Sequence, residues 1–322
     1  LSDVDNEQLV KLVGGQLVET LVAHDVIGRL MIQCARQPGL ALIWEDILGF
    51  QNAEFYFRRW PQLDGMRFED VLISFPAAVP VGVKVATTGG KIILNPEDDY
   101  VMSEGDELLV LAEDDDTYSP GDLPQVCRRP LPINVCSPKL PERILFCGWR
   151  RDIDDLIQVV DEFLASGSEL WLFNEVPLAE RNRKLEDGGL CVGQLVNTCL
   201  VHREGNAVIR RHLECLPLET FDSILILADE ALEDTPVYAD SRSVATLLLI
   251  RDIQSKRMRD KASQVREHCG GGAPQRQTSW ILDMEQASHN SIVISEILDS
   301  RTKNLVSVSA IGDYVLSNEL VS

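Results

Sequence analysis

The 322-residue sequence has no apolar run approaching the roughly 20 residues of a bilayer-spanning helix; stretches such as Val244–Ile250 and Ile224–Ala228 stop far short. Basic residues are scarce. Thirty Lys and Arg face 51 Asp and Glu, and a net charge of −21 repels phosphate backbones and anionic membrane surfaces, which excludes nucleic acid as a partner. The eight cysteines are scattered, with no C-x-x-C pair and no Cys/His spacing suited to zinc, so they read as idle thiols of a reducing compartment. His24, His202, His212, His268 and His289 form no H-E-x-x-H pattern, and neither a G-x-S-x-G elbow nor a G-x-x-x-x-G-K-[ST] loop is present. No enzyme is expected from these residues. The chain opens at Leu1 with neither an initiating Met nor a signal peptide, and it is expected to be a fragment.

What is there suffices for packed cores, since 45% of residues are apolar, and the length suits two domains. Residues 1–120 hold 21 acids and 8 bases, residues 121–322 hold 30 and 22, so the first part is the more acidic per residue. Between them Pro120, Pro124, Pro130, Pro132, Pro138 and Pro141 deny the backbone helix and sheet hydrogen bonds, which predicts a linker over 119–142. A second polar break, 259–278, carries Gly270, Gly271 and Gly272 and reads as a mobile loop inside the second domain.

From residue 143 strand and helix alternate. Strands are predicted at 143–148, 169–174, 197–204, 222–228 and 291–298, with helices at 152–165, 178–186, 207–216, 241–258 and near 311–321. That rhythm demands a parallel sheet covered on both faces: an α/β fold, a Rossmann-type doubly wound lobe spanning 143–322. Residues 1–50 read as the end of an earlier lobe of the same kind, strand 16–22 into helix 24–35, followed by a helical crossover with LALIWEDIL (40–48) as its second arm. The end of the chain, 304–322, repeats the strand-then-helix pattern. Residues 51–118 form a β-rich module running from FEDVLISF (68–75) through 81–85 and 91–96 to 106–113.

That module, with a glycine-led strand, an N-P turn and a G-D-x-L-x-V strand over 79–113, is similar to the C-terminal lobe of regulator-of-conductance (RCK, TrkA-type) domains. The stretches 60–76, 144–157, 169–177, 200–214, 216–230 and 295–322 resemble something narrower, the plant CASTOR and POLLUX family of nuclear-envelope ion channels, and the likeness covers nearly the whole chain. The resemblance implies a homotetrameric cation channel of the nuclear envelope, serving nuclear calcium signalling and, in plants, root symbiosis. Its pore helices would precede this segment, and two RCK units per subunit would form a gating ring, outside the membrane, that binds Ca²⁺. The 259–278 loop is not matched to the family, and without pore helices the segment alone does not conduct. The alternative is a soluble RCK/TrkA-like regulatory subunit of a separate ion transporter.

NAD is not expected. The first strand–helix loop, Gly148-Trp149-Arg150-Arg151-Asp152-Ile153, replaces the second and third fingerprint glycines, and Asp152, Asp154 and Asp155 put negative charge where a pyrophosphate would sit. Arg150 and Arg151 are expected to pair with neighbouring acids or line a ring interface. Candidate Ca²⁺ ligands are Asp229 and Glu230 after the fourth strand, Glu175 after the second, and the run Asp114, Asp115, Asp116, because hard cations need several oxygens at once. Glu113 extends that run, and Glu97, Asp98 and Asp99 form a further acidic cluster; none of these sets has EF-hand spacing. The crossover is apolar beyond the needs of one small lobe, which makes Leu30, Met31, Trp44 and Ile47 candidate subunit-interface residues, with plain core as the alternative.

Overall fold

The computed structural model describes residues 7–15, 18, 20, 22–37, 39–49, 53–126, 139–232, 235–268, 291–308 and 314–317. The chain divides into two units, one of residues 1–42 with 137–322 and one of residues 43–136. In chain order it opens with helices α1 (Glu7–Gly14), α2 (Ala23–Arg36) and α3 (Leu40–Leu48). Next come strand β1 (Glu54–Arg58), helix α4 (Phe68–Ser74) and strands β2 (Val79–Val85), β3 (Lys91–Leu94) and β4 (Glu107–Ala112). After residue 138 the elements are β5 (Arg143–Cys147), α5 (Ile153–Phe163), β6 (Ser168–Asn174), α6 (Leu178–Asp187), β7 (Thr198–Glu204) and α7 (Arg210–Leu213). The last are β8 (Ser223–Ile226), α8 (Pro236–His268), β9 (Ile292–Ile297), α9 (Ser300–Val308) and β10 (Tyr314–Ser317).

The larger unit is the doubly wound lobe read from the sequence. Its six-stranded sheet has the order β10-β9-β8-β5-β6-β7, and every pairing is parallel. From β5 the chain winds outward through β6 and β7, then returns to the other side of β5 for β8, β9 and β10, so the winding reverses beside β5. Strands buried on both faces lack polar alternation: all four residues of β8 are buried, as are Ile144 through Cys147 of β5. Helix α5 covers one face with Ile153, Leu156, Ile157 and Val160 and carries Asp154 and Asp155 in its first turn, at the positive end of the helix dipole.

Helix α2 also belongs to this unit and packs on β8, β9 and α5. Met31 is fully buried there and Leu30 nearly so. These two interface candidates are therefore covered by the chain's own lobe, because the apolar stripe that exceeded a small lobe's needs closes the parallel sheet instead. Burying a Leu or Met side chain contributes about 1.5–3 kcal/mol. Trp44 and Ile47 of α3 are half-buried, and beside them Leu42 and Ile43 are exposed.

The smaller unit holds an antiparallel sheet of order β1-β4-β2-β3. Its core joins Phe68, Val71 and Phe75 to Val83, Leu108 and Val110. The N-P turn is real: Asn95 adopts a left-handed φ of 45° and donates its N–H to the Val81 carbonyl at 2.8 Å. Asp106 locks the G-D turn by accepting the N–H groups of Ala86 and Ser103 and the Tyr100 hydroxyl, at 3.0, 2.9 and 2.8 Å.

Four sequence expectations are corrected. FEDVLISF is helix α4 and not a strand: Phe68, Val71 and Phe75 recur at helical spacing, and Glu69 and Asp70 favour a helix start. The helix expected over 207–216 is a single turn, because the Asn206 carboxamide holds the preceding backbone, accepting the Val208 N–H at 2.9 Å, and Pro217 follows. Residues 259–268 continue α8 in place of a loop, while 269–278 lie outside the described residues. The chain's end runs helix then strand, the reverse of the expected order: Asp299 accepts the Arg301 N–H at 2.8 Å and starts α9 at Ser300, and residues 314–317 of the expected last helix are strand β10. Of the strand expected over 16–22, residues 18, 20 and 22 are not extended-sheet partners and the others lie outside the description, as does 127–138 of the linker.

Candidate ligand site at the carboxyl edge of the parallel sheet

In open parallel sheets, ligands collect at the carboxyl ends of the strands where the winding reverses. A cavity of about 280 Å³ lies there, bounded by the ends of β5, β6 and β8, by Gly205 after β7, and by Tyr238, Arg242, Ser243 and Thr246 of α8. Gly148 turns the chain out of β5 with φ +112°. A Cβ at this position would stand 2.4 Å from the Leu227 carbonyl oxygen, so only glycine lets β5 and the end of β8 approach this closely.

The loop that follows is closed by its own charges. The Arg150 guanidinium is buried and donates from Nε and Nη2 to the two Asp152 carboxylate oxygens, each at 2.8 Å, and from Nη1 to Glu296 at 3.1 Å. The other oxygen of Glu296, itself buried on β9, accepts the Ala228 N–H at 2.9 Å. One carboxylate thus joins the β5–α5 loop, the end of β8 and strand β9. Arg150 pairs with neighbouring acids as the sequence suggested, and Arg151 is exposed.

Asp229 and Glu175, called from the sequence as cation ligands, meet at this cavity. Asp229 Oδ1 accepts the Trp149 N–H at 2.8 Å. Arg242 stands between the two acids, 3.3 Å from Glu175 and 3.8 Å from Asp229. Burial pushes the Asp229 carboxyl above its ordinary value; the Trp149 N–H and Arg242 pull the other way, and Glu175 adds to the rise. The second Glu175 oxygen accepts from Asn206 Nδ2 at 2.8 Å. Ca²⁺ takes six to eight oxygens. Two carboxylates that already share a guanidinium and a pair of N–H donors do not fit that demand while Arg242 stays in place. The Glu230 side chain lies outside the described residues.

Asp114, Asp115 and Asp116 do converge: among the described residues they are the set of three acids whose carboxylate oxygens lie within 4.8 Å of one another, and all three are exposed. They belong to the smaller unit. Glu97, Asp98 and Asp99 are exposed around the N-P turn.

Three polar anchors of the sheet edge escaped the sequence reading. Arg181 of α6 is fully buried, and its acceptors among the described residues are backbone carbonyls: Val176 at 2.6 Å, Leu172 at 3.1 Å, Asn174 at 2.7 Å and Arg203 at 2.9 Å. Asp240 of α8, also buried, accepts the N–H groups of Leu298 and Asp299 at 2.7 and 3.0 Å. Glu296 is the third. Its signal was present in SIVISEIL (291–298), where an acid interrupts an apolar strand with no polar alternation to account for it.

A family model described as "Castor and Pollux, part of voltage-gated ion channel" matches residues 24–126. All 322 residues align at 70% identity with the probable ion channel CASTOR of Oryza sativa subsp. japonica and at 69% with the ion channel POLLUX of Lotus japonicus. The chain covers 36% and 35% of those proteins, so it spans about a third of the length of the curated relatives it matches. Among solved structures, the human SLO3 gating ring superposes with a TM-score of 0.54 over 97% of this chain and 61% of that one, at 11% identity, which shows a shared fold.

Proposed function

We propose that this chain, of the CASTOR and POLLUX type along all its 322 residues, is the regulatory gating-ring segment of a ligand-gated cation channel. The observation that carries the reading is identity of 68–70% sustained over the whole chain with proteins named as ion channels, joined to a fold shared with a gating ring. In this reading four copies assemble through RCK–RCK contacts in which Trp44 and Ile47 take part, and pore helices of the full-length chain carry the current. The channel sits in the nuclear envelope and serves nuclear calcium signalling and, in plants, root symbiosis. Catalysis has no part in it.

Ca²⁺ is the regulatory ligand in this reading. A ligand biases gating only by its differential affinity for two ring conformations. Asp114, Asp115 and Asp116 offer three converging carboxylates, with water completing the shell; Glu175 and Asp229 become available in the conformation where Arg242 has withdrawn, and Glu230, next in sequence to Asp229, is a further ligand in this reading. The test is to record currents from the full-length channel in planar bilayers while Ca²⁺ is changed on the ring side. A Ca²⁺-dependent open probability, reduced when Asp114, Asp115 and Asp116 are changed together to Asn, is expected. A full-length chain that conducts nothing overturns the channel reading, and currents indifferent to Ca²⁺ overturn its regulation.

A further inference from the structure

The cavity at the carboxyl edge of the parallel sheet is lined by more than the acids weighed above as cation ligands. Asn174, the last residue of β6, lines it and is 4% exposed. Its Oδ1 accepts the Val176 N–H at 3.0 Å, which fixes the orientation of the carboxamide, and its Nδ2 is buried with no hydrogen-bond partner among the described residues. A buried donor left unpaired is costly, and an acceptor on a ligand relieves it. An acceptor with spare capacity lines the same cavity. Asp229 gives Oδ1 to the Trp149 N–H, while its Oδ2 lies 3.8 Å from Arg242, beyond hydrogen-bond length.

Charge and size narrow the occupant. Among the lining residues Glu175 and Asp229 are balanced by Arg242 and Lys184. A phosphate compound or a bare metal ion upsets that balance in a partly buried site, whereas a molecule carrying one charge of each sign preserves it. A bare metal ion also leaves the Asn174 donor unserved. The volume of about 280 Å³ falls at the lower bound of small-molecule sites, too little for a dinucleotide. Apolar side chains supply much of the remaining wall, Trp149, Phe173, Leu227 and Leu232 among them.

We propose that this cavity binds a small zwitterion with an apolar side chain, an α-amino acid by chemical class. Its ammonium donates to Asp229 Oδ2 and Glu175, its carboxylate accepts from Asn174 Nδ2 and Arg242, and its side chain lies against the apolar wall. The proposal rests on the gating-ring reading only for the consequence of occupancy, which is a second effector beside Ca²⁺. An amine held by Asp229 and Glu175 leaves Ca²⁺ to Asp114, Asp115 and Asp116.

Calorimetric titration of the 322-residue chain with L-leucine tests it, beside N-acetyl-L-leucine, which lacks the ammonium, and L-leucinamide, which lacks the carboxylate. Saturable binding of L-leucine is expected, with each analogue weaker by about tenfold or more, the effect of losing a charge-assisted hydrogen bond. Asp229→Asn and Arg242→Gln should each weaken L-leucine by a similar factor, with circular dichroism to verify folding. Glu175→Gln, at a largely exposed position, serves if either variant unfolds. Absence of binding, and of any rise in melting temperature, with L-leucine and L-phenylalanine at about 10 mM overturns the proposal. Equal binding of the analogues, or unchanged binding in the folded variants, overturns it as well. These titrations involve no current and the bilayer recordings no amino acid, so the site and the channel reading can fail separately.

Discussion

Arg150 and Glu296 lie 146 residues apart in sequence and meet at 3.1 Å, both buried, where a dinucleotide-binding lobe would receive phosphate. The salt bridge explains how a lobe of this fold keeps its first loop ordered without the glycine fingerprint.

Removing one member of a buried pair leaves an uncompensated charge and costs about 3–5 kcal/mol. Arg150→Met should therefore destabilise the larger unit by that amount in urea denaturation. Adding Glu296→Gln should recover part of the loss, because the stranded carboxylate is gone. Equal stability of wild type and Arg150→Met would contradict the assigned role.

Gly148→Ala forces a Cβ toward the Leu227 carbonyl at a φ of +112°. The strain and displacement should lower stability by about 3 kcal/mol or more. Thermal melting followed by circular dichroism reads this directly.

Asp161 is acid-sensitive by construction. Burial alone would raise its carboxyl, but the N–H groups of Val196, Asn197 and Thr198, at 3.0, 3.0 and 2.8 Å, hold it below the ordinary aspartate value. Stability from this group is thus fully present above the ordinary value near pH 4 and is lost as pH falls through the lowered one. Asp161→Asn should cost about 1–3 kcal/mol at neutral pH and flatten that acid limb. Denaturation midpoints measured from pH 2 to 6 check both.

Arg181 serves four carbonyls through a planar fork that lysine cannot copy, since an ammonium has three donors. Arg181→Lys should cost about 1–3 kcal/mol for each carbonyl left unpaired, although the charge is kept. An unchanged urea midpoint would show that charge alone matters there.

Arg242 competes with any cation for Glu175 and Asp229. If these acids are ligands, Arg242→Gln should tighten Ca²⁺ binding by about tenfold in calorimetry of this chain. Its effect on stability should stay within about 1 kcal/mol, because Glu175 is largely exposed and the pair is screened. Unchanged affinity would remove Glu175 and Asp229 from the ligand set and leave Asp114–Asp116.

The sequence made the larger lobe legible because its central strands are short apolar runs alternating with helices, as in Arg143–Cys147 followed by the amphipathic helix Ile153–Phe163. It misled where the same residues satisfy two periods. Phe68, Val71 and Phe75 fit a helix, yet FEDVLISF also reads as a buried strand, and packing against β2 decides. The site was half legible. Glu175 and Asp229 follow from strand ends, whereas Arg242 sits on α8, 67 residues from Glu175, and nothing local announces that the two will meet. Leu30 and Met31 show the limit of composition: surplus apolar surface says that something covers it, and only the fold shows that β8 and β9 do.

The buried carboxylates of Glu296 and Asp240 fasten β8, β9, the first loop and the start of α8 to one another through backbone N–H groups and Arg150. The floor of the cavity is consequently assembled before any visitor arrives and has little slack to give. A molecule entering there finds its compliant wall on the opposite side, where Tyr238 stands half in water and Arg242 is held by partly exposed acids. Mechanical work done by a ligand at this edge would leave through the rim at the start of α8, and the sheet beneath would register almost none of it.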